Sequence, residues 1–166
     1  RNYRSLCLEQ LPELLEENIL CEPAMRNTAA CIAYAAFKIQ HLNPEANMIV
    51  AASDHIITKE EEFVRVVNNG LEYTAKNNIL LTLGIKPSRP DTGYGYIQFT
   101  SEGIDGNTKI KKVKTFTEKP DQELALSFLS SGDFLWNSGM FIWSAKSINL
   151  AYRKHLRDMY DIFEEA

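Results

Sequence analysis

One carboxylate, that of Asp54, lies directly after a predicted β-strand, where a side chain can contact a ligand bound at the edge of the sheet. Asp54 follows a continuous apolar run, Met48–Ala52, which is typical of a strand buried on both faces. A carboxylate at a strand end can coordinate Mg²⁺ while leaving positions open for phosphate oxygens. On the residues alone, the favoured alternative is that Asp54 caps a turn or the helix that we predict from Thr58. The adjacent His55 is more typical of a packed or hydrogen-bonded histidine than of a metal ligand.

A second pair of charged residues, Glu118 and Lys119, follows a predicted strand and precedes Pro120. Glu118 can accept two hydrogen bonds from vicinal hydroxyls of a sugar, and Lys119 can face a phosphate as a point charge. The alternative is a solvated ion pair before a helix. On the residues alone, that alternative is the better explanation of the pair.

The segment Glu22–Thr28 leads into a predicted helix. The backbone N–H groups at that helix start, together with Arg26, can receive an anion. Glu22 can accept hydrogen bonds from an N1–H/N2–H edge, which guanine has and adenine lacks. The same residues also fit a helix cap, from Asn27 or Thr28, beside a surface arginine.

Two further segments carry polar groups beside glycines. Arg89–Tyr96 is a stiff turn in which glycine lets the backbone approach a ligand closely, although it lacks the Gly-Lys-Ser/Thr of a P-loop. Trp136–Gly139 supplies the amide of Asn137, which can both donate to and accept from a sugar.

The elements that must position these residues alternate along the chain. The apolar patterns predict strands at Ile19–Cys21, Met48–Ala52, Ile79–Ile85, Tyr94–Thr100, Ile110–Phe116 and Trp136–Trp143, with a turn at Gly103–Gly106. They predict helices around Leu6–Leu15, at Asn27–Leu42, at Thr58–Lys76 with a Thr58/Glu61 capping box, at Asp121–Ser131 and from Ala145 onward. This alternation predicts an α/β fold with a mostly parallel sheet covered on both faces. Ligands then bind beyond the carboxyl ends of the strands.

Length, composition and net charge limit the classes of protein to which this chain can belong. The 166 residues predict one domain, with 45% hydrophobic and 24% charged residues. A net charge of −4 argues against non-specific nucleic-acid binding, and we expect neither a nucleic-acid partner nor a membrane-spanning helix. Three cysteines without CxxC spacing indicate reduced thiols and a cytoplasmic location. The sequence leaves open whether the chain forms a homo-oligomer.

Taken in order, these motifs resemble the mannose-1-phosphate guanylyltransferase family over nearly the whole chain. The matching stretches are Glu22–Ala29, Ala52–His55, Gly84–Tyr96, Phe116–Asp121 and Trp136–Phe141. The resemblance implies a three-layer α/β/α, Rossmann-like nucleotidyltransferase fold. It also implies that the phosphate of mannose 1-phosphate attacks the α-phosphorus of GTP with the help of Mg²⁺, giving GDP-mannose and pyrophosphate.

The resemblance also implies roles for individual residues. Asp54 is expected to bind Mg²⁺ and, with Lys119, to act in catalysis. The expected sugar-phosphate ligands are Gly95, Glu118, Lys119 and Asn137. The residues expected beside the guanosine are Glu22, Arg26, Asn27 and Thr28.

One part of the family pattern is not in this sequence. The family begins with a strand and a Gly-Gly-x-Gly-x-Arg loop that holds the triphosphate, so residues 1–166 are expected to be a partial catalytic domain with at least one strand missing from the sheet and no activity alone. Two alternatives remain at this point. One is a related nucleotidyltransferase with another sugar or base, and the other is a non-catalytic nucleotide-sugar-binding module.

Overall fold

The computed structural model describes residues 3–104 and 107–165. The helices are α1 (Arg4–Gln10), α2 (Asn27–Leu42), α3 (Glu60–Lys76), α4 (Gln122–Ser131), α5 (Ala145–His155) and α6 (Arg157–Glu164), with a short 3₁₀ turn at Glu16–Asn18. The strands are β1 (Asn47–Val50), β2 (Leu81–Ile85), β3 (Tyr96–Ile104), β4 (Asn107–Thr117) and β5 (Phe134–Ser144). The predicted α/β class is therefore confirmed. None of the helices in the described ranges is long and apolar enough to cross a membrane.

The chain divides into two compact units. The first contains Arg1–Val50, Lys59–Leu80 and Ile142–Ala166, and the second contains Ala51–Thr58 and Leu81–Phe141. The five strands form one sheet in the order β1-β5-β3-β4, with β2 also paired to β5. β5 is divided between the units after Phe141, so its first part belongs to the second unit and its last residues belong to the first.

In the first unit, α2 presents small side chains to its neighbours. Ala33 and Ala36 are fully buried, one helical turn apart on the same face of α2. The hydroxyl of Tyr152 in α5 donates a 2.9 Å hydrogen bond to the carbonyl oxygen of Ala29. Burial raises the pKa of Tyr152 to about 12. Small residues on α2 and a buried tyrosine on α5 thus hold these two helices together.

In the second unit, α4 packs its apolar face against the sheet. Tyr96 is fully buried, and its ring lies 5.1 Å from that of Phe128 in α4, which stacks on Phe134 at 4.0 Å. The helix is defined at both ends, because the Asp121 side chain accepts from a backbone N–H of the first turn and Gly132 adopts φ 77° after the last turn. This packing fixes the start of β3, where the candidate site lies.

The prediction of a mostly parallel sheet is wrong for β3, β4 and β5. β3 pairs antiparallel with both β4 and β5. The physical reason is that no helix separates β3 from β4, and strands joined by a short connection can only return antiparallel. Part of the predicted turn at Gly103–Gly106 cannot be compared, because Asp105 and Gly106 lie outside the described residues.

Three local predictions also need correction. Residues 19–21 do not form a strand. β1 ends at Val50 and only Met48 is buried in it, so the expected burial on both faces is wrong. Helix α3 begins at Glu60 after Lys59, with no side-chain hydrogen bond at its N-cap, so the Thr58/Glu61 capping box does not form. For β1 and α3, the local pattern predicted the correct type of element, but tertiary packing determined the residue at which the element begins or ends.

Candidate functional site

The register of three neighbouring strands places Gly95 before β3, Asn137 in β5 and Glu118 after β4 in one row, which we call the sugar-side row. Tyr96 pairs with Thr117 of β4 on one side and with Trp136 of β5 on the other. One residue further out, the backbone N–H of Asn137 donates to the carbonyl oxygen of Gly95 at 2.8 Å. The structure therefore brings together two of the residues that the sequence assigned to sugar binding.

Gly95 is the open position of this row. A Cβ atom placed on Gly95 would lie 3.5 Å from the carbonyl oxygen of Thr117 and 3.8 Å from Cβ of Asn137. The missing side chain would thus stand beside Asn137 and the end of β4. Glycine leaves this surface free, so a ligand can approach the backbone between the two strands.

Glu118 and Lys119 lie just beyond the end of β4, and both are exposed. They form the link between Thr117, the last residue of β4, and Asp121, which caps α4. The sequence predicted a site beyond the carboxyl ends of parallel strands. The sugar-side row does not have that arrangement. Instead, the antiparallel pairing places the start of β3 beside the end of β4, and an interior residue of β5 completes the row.

The turn before β3 is held by its own hydrogen bonds. The buried Tyr96 hydroxyl donates to the carbonyl oxygen of Asp91 at 2.9 Å. The Asp91 carboxylate accepts from the Gly93 N–H at 2.8 Å and pairs with Arg89 at 2.6 Å. The Gly93 N–H and then the Arg89 guanidinium hold the pKa of Asp91 below its ordinary value. These contacts fix the backbone that leads into Gly95.

An aromatic and cationic stack lies on the residue next to Asn137. Trp136 is 8% exposed, its ring lies 5.1 Å from that of Tyr94, and the Arg89 guanidinium carbon lies 5.4 Å from its centroid. A guanidinium over an indole face is a favourable cation–π arrangement. The stack therefore restrains Trp136, and with it the backbone position of Asn137.

The side-chain amide of Asn137 is oriented by two donors. Its Oδ1 accepts from the Gly139 N–H at 3.1 Å and lies 3.3 Å from the hydroxyl oxygen of Thr82. Gly139 has φ 70°, a backbone conformation that L side chains rarely adopt, and this places its N–H toward Asn137. Thr82 was missed at the sequence level, because a threonine inside the apolar strand β2 belongs to no recognisable motif.

Asp54 lies on an exposed loop of the second unit. Its side chain is 86% exposed, and its carboxylate pairs with Nδ1 of His55 at 3.2 Å. The first helix after this loop begins at Glu60 without a side-chain cap, so Asp54 does not serve as its cap. Across residues 3–104 and 107–165, no three His, Cys, Asp or Glu side chains form a group that could hold a metal ion. Asp54 therefore offers a single accessible carboxylate.

The residues expected beside the guanosine lie in the first unit at the start of α2. Arg26 is the N-cap residue and makes no side-chain cap hydrogen bond, so the predicted cap from Asn27 or Thr28 is wrong. Asn27 has φ 67°, which asparagine tolerates better than most residues. Arg26, Asn27 and Thr28 are all exposed. This helix start is not closed by a side chain of its own.

Glu22 lies near Cys31 of α2, which is a free thiol. Burial raises the pKa of the Cys31 thiol, and the negative charge of Glu22 and a hydrogen bond to it raise the pKa further. The thiolate of Cys31 is thus disfavoured at neutral pH. This makes the thiol a reporter on the charge of Glu22.

We expect Glu22→Gln to speed alkylation of Cys31 by iodoacetamide at mildly alkaline pH. Removing the carboxylate charge lowers the raised thiol pKa, so the reactive thiolate fraction at a fixed pH increases. Peptide mapping by mass spectrometry reports the rate at each cysteine, and Cys7 in the same sample is the internal control. An unchanged ratio of the Cys31 and Cys7 rates would show that Glu22 does not act on this thiol.

Comparison with known proteins identifies relatives along the whole chain. A model of the nucleotidyl transferase family matches residues 3–166. The mannose-1-phosphate guanylyltransferase of Escherichia coli (strain K12) is 40% identical over 169 residues, which cover 99% of this chain and 35% of that protein. Mannose-1-phosphate guanylyltransferase ManC of Salmonella typhimurium is 41% identical over 170 residues, with the same coverage. The chain thus spans about a third of the length of these curated relatives.

Two solved structures share the fold. A crystal structure described as mannose-1-phosphate geranyltransferase from Thermus thermophilus superposes with a TM-score of 0.77 at 23% identity, covering 99% of this chain and 54% of that one. A structure described as mannose-6-phosphate isomerase from Helicobacter pylori gives a TM-score of 0.77 at 30% identity, covering 98% and 60%. The first likeness, at this low identity, is a likeness of fold alone.

Proposed function

The chain belongs to the nucleotidyl transferase family, and from this membership we propose that the protein transfers GMP from GTP to mannose 1-phosphate. The products are GDP-mannose and pyrophosphate. The observation that carries the proposal is the sugar-side row, in which Asn137 N–H bonds to Gly95 O beside the end of β4. Relatives named for this activity are about 40% identical to the chain, which supports the choice of sugar and base.

The sugar-side row, together with the neighbouring Lys119, has the chemistry to hold a sugar phosphate. Asn137 offers an amide, Glu118 a carboxylate that accepts from sugar hydroxyls, and Lys119 a cation for the phosphate. Gly95 leaves room for the sugar between them. Glu118 and Lys119 are exposed, so both side chains are accessible to a ligand.

The start of α2 supplies the groups for the nucleotide in this proposal. Its backbone N–H groups have no side-chain cap, and Arg26 adds a positive charge at the same point. Helix N-termini favour anions because the unpaired N–H groups carry partial positive charge. Glu22 is proposed to accept from the guanine edge, while Asn27 and Thr28 lie beside the guanosine.

Asp54 fits a Mg²⁺ site of the kind that shares its ligands with substrate. Mg²⁺ is usually bound through one or two carboxylates together with water and substrate phosphates, rather than by a cage of protein ligands. A single carboxylate that is 86% exposed satisfies this requirement. When bound, Mg²⁺ would neutralise negative charge on the phosphates of the nucleotide.

In the reaction, a phosphate oxygen of mannose 1-phosphate forms a bond to the α-phosphorus of GTP. The bond from that phosphorus to the bridging oxygen breaks, and pyrophosphate leaves with the electron pair. The protein mainly positions the reactants and offsets their charges, as in phosphoryl transfer generally. Lys119 contributes a cation near the attacking phosphate. We place this chemistry in the cytoplasm, where the three free thiols stay reduced, and on a three-layer α/β/α nucleotidyltransferase fold.

The test is a comparison of Michaelis constants in the product of the complete gene. We expect Asn137→Ala or Glu118→Gln to raise the KM for mannose 1-phosphate by about tenfold or more, because hydrogen bonds to charged groups are worth roughly 1.5–3 kcal/mol. The KM for GTP should change less. Glu123→Gln, an exposed carboxylate on α4, is the matched control.

Other results would redirect the proposal. An unchanged KM for mannose 1-phosphate in both variants would remove these residues from the site. Preference of the wild type for another sugar 1-phosphate or for UTP would indicate a related transferase. Binding of GDP-mannose without any turnover would indicate a non-catalytic binding module.

A further inference from the structure

The side-chain amide of Asn137 has its two ends in different environments. The Gly139 N–H, 3.1 Å from Oδ1, can only donate, so the atom facing it must be the amide oxygen. Thr82 Oγ1 lies 3.3 Å from the same oxygen. Among the described residues, the hydrogen bonds to the side chain of Asn137 go to Oδ1 and not to Nδ2. The oxygen is thus held by the protein, and the NH₂ group is the end left for a ligand.

Thr82 stands where it can set this orientation. It lies in β2, its hydroxyl is partly buried, and the hydroxyl is 3.2 Å from the carbonyl oxygen of Met140 as well as 3.3 Å from Oδ1 of Asn137. A single hydroxyl hydrogen between two acceptors forms a three-centre bond. Both acceptors belong to β5, so Thr82 ties the amide of Asn137 to a fixed point of the strand.

We propose that Thr82 is a positioning residue that makes Asn137 a hydrogen-bond donor to the sugar phosphate. The inference rests on the proposed function, and it adds that the sugar site offers a hydrogen-bond donor at this position. With Oδ1 held by Thr82 and Gly139, the amide nitrogen meets an acceptor oxygen of the ligand. That oxygen belongs either to a sugar hydroxyl or to the phosphate, and the experiment separates these two sources.

The central variants are Thr82→Val, which keeps the shape but removes the hydroxyl, and Thr82→Ser, which keeps the hydroxyl. We expect Thr82→Val to raise the KM for mannose 1-phosphate by about three- to tenfold, the worth of one neutral hydrogen bond. The kcat and the KM for GTP should stay within about twofold of wild type, and Thr82→Ser should restore the sugar KM.

A double-mutant cycle distinguishes positioning from a purely structural role. If Thr82 acts through Asn137, Thr82→Val has no further effect on the sugar KM when Asn137→Ala is already present. Equal effects in both backgrounds, or failure of Thr82→Ser to rescue, would overturn the proposal.

The source of the acceptor oxygen follows from analogues of mannose 1-phosphate that each lack one hydroxyl. If a hydroxyl is the acceptor, the effect of Thr82→Val disappears for the analogue that lacks it. If the phosphate is the acceptor, the effect persists with every deoxy analogue. Either result agrees with a donor at Asn137.

A readout without turnover keeps this inference separate from the proposed function. The side-chain NH₂ signals of Asn137 can be assigned in a ¹⁵N–¹H spectrum by their loss in Asn137→Ala. We expect Thr82→Val to shift or broaden them and Thr82→Ser to leave them near their original positions. Signals that do not respond to Thr82→Val would overturn the positioning role. A wild-type protein with no activity toward mannose 1-phosphate, but with responsive signals, would overturn only the proposed function.

Discussion

Asp54→Asn is expected to lower turnover in the proposed guanylyltransferase reaction by about 10²-fold or more, measured by pyrophosphate release in the full-length protein. The substitution keeps the size of the side chain but removes the charge that would hold Mg²⁺ beside the phosphates. Losing such a contact to developing charge costs several kcal/mol of barrier. The side chain is 86% exposed, so the midpoint of thermal unfolding should remain close to that of wild type.

The control for Asp54→Asn is Asp158→Asn, which removes an exposed carboxylate from α6. Turnover should be followed over a range of Mg²⁺ concentrations. A deficit that disappears at saturating Mg²⁺ would mean that Asp54 contributes only to ion affinity. Near-normal turnover at every Mg²⁺ concentration would exclude Asp54 from the site.

Gly84→Ala is expected to destabilise the protein by about 1–3 kcal/mol, which is the usual cost of overpacking. A Cβ at position 84 would lie 2.5 Å from Cδ1 and 2.8 Å from Cβ of Leu135. Rotation of the leucine side chain relieves only the first contact, because Cβ is fixed by the backbone. Leu135 is also paired in register with Ile97, which limits movement of β5. Urea unfolding would show a lower midpoint.

Gly95→Ala is the matched control for this stability measurement. It adds the same methyl group to the same unit, but the nearest atoms would be 3.5 Å and 3.8 Å away, which are ordinary contact distances. Its urea midpoint should stay close to wild type. Equal midpoints for Gly84→Ala and wild type would mean that β2 and β5 separate easily at this point.

Helix predictions were correct where the sequence features that define the helix lie within the segment itself. The bounds Asn27–Leu42 are confirmed, and Asp121 acts as the N-cap of a helix that ends at Ser131 as predicted. Even so, the cap of α2 was misassigned, because Asn27 takes a left-handed backbone, whereas an N-cap residue is typically extended. The local sequence predicts the type of an element more reliably than it predicts the backbone conformation of the first residue of that element.

Only part of the strand pairing could be derived from local pattern. The apolar runs gave the positions of β3, β4 and β5 within a few residues, and the short connection between β3 and β4 already implies an antiparallel pair. The antiparallel pairing of β3 with β5 depends instead on which strands meet in space. The roles of Gly95, Glu118 and Asn137 remain predictions from motif resemblance. What the structure adds is that Gly95 and Asn137 touch through a 2.8 Å hydrogen bond. Thr82 carried no signal at all, since its importance arises only when β2 lies beside β5.

The sugar-side row is assembled from segments that are close together along the chain. The loss of chain entropy when the row forms is therefore small. Joining Gly95 to the end of β4 closes a loop of about 20 residues, and joining it to Asn137 closes about 40, which adds only about 0.6 kcal/mol of closure cost. Once β3 and β4 are paired, the end of β4 is separated from Asn137 by α4, its flanking turns and the first residues of β5. The row therefore forms without any long-loop closure, because each contact shortens the loop that the next one has to close.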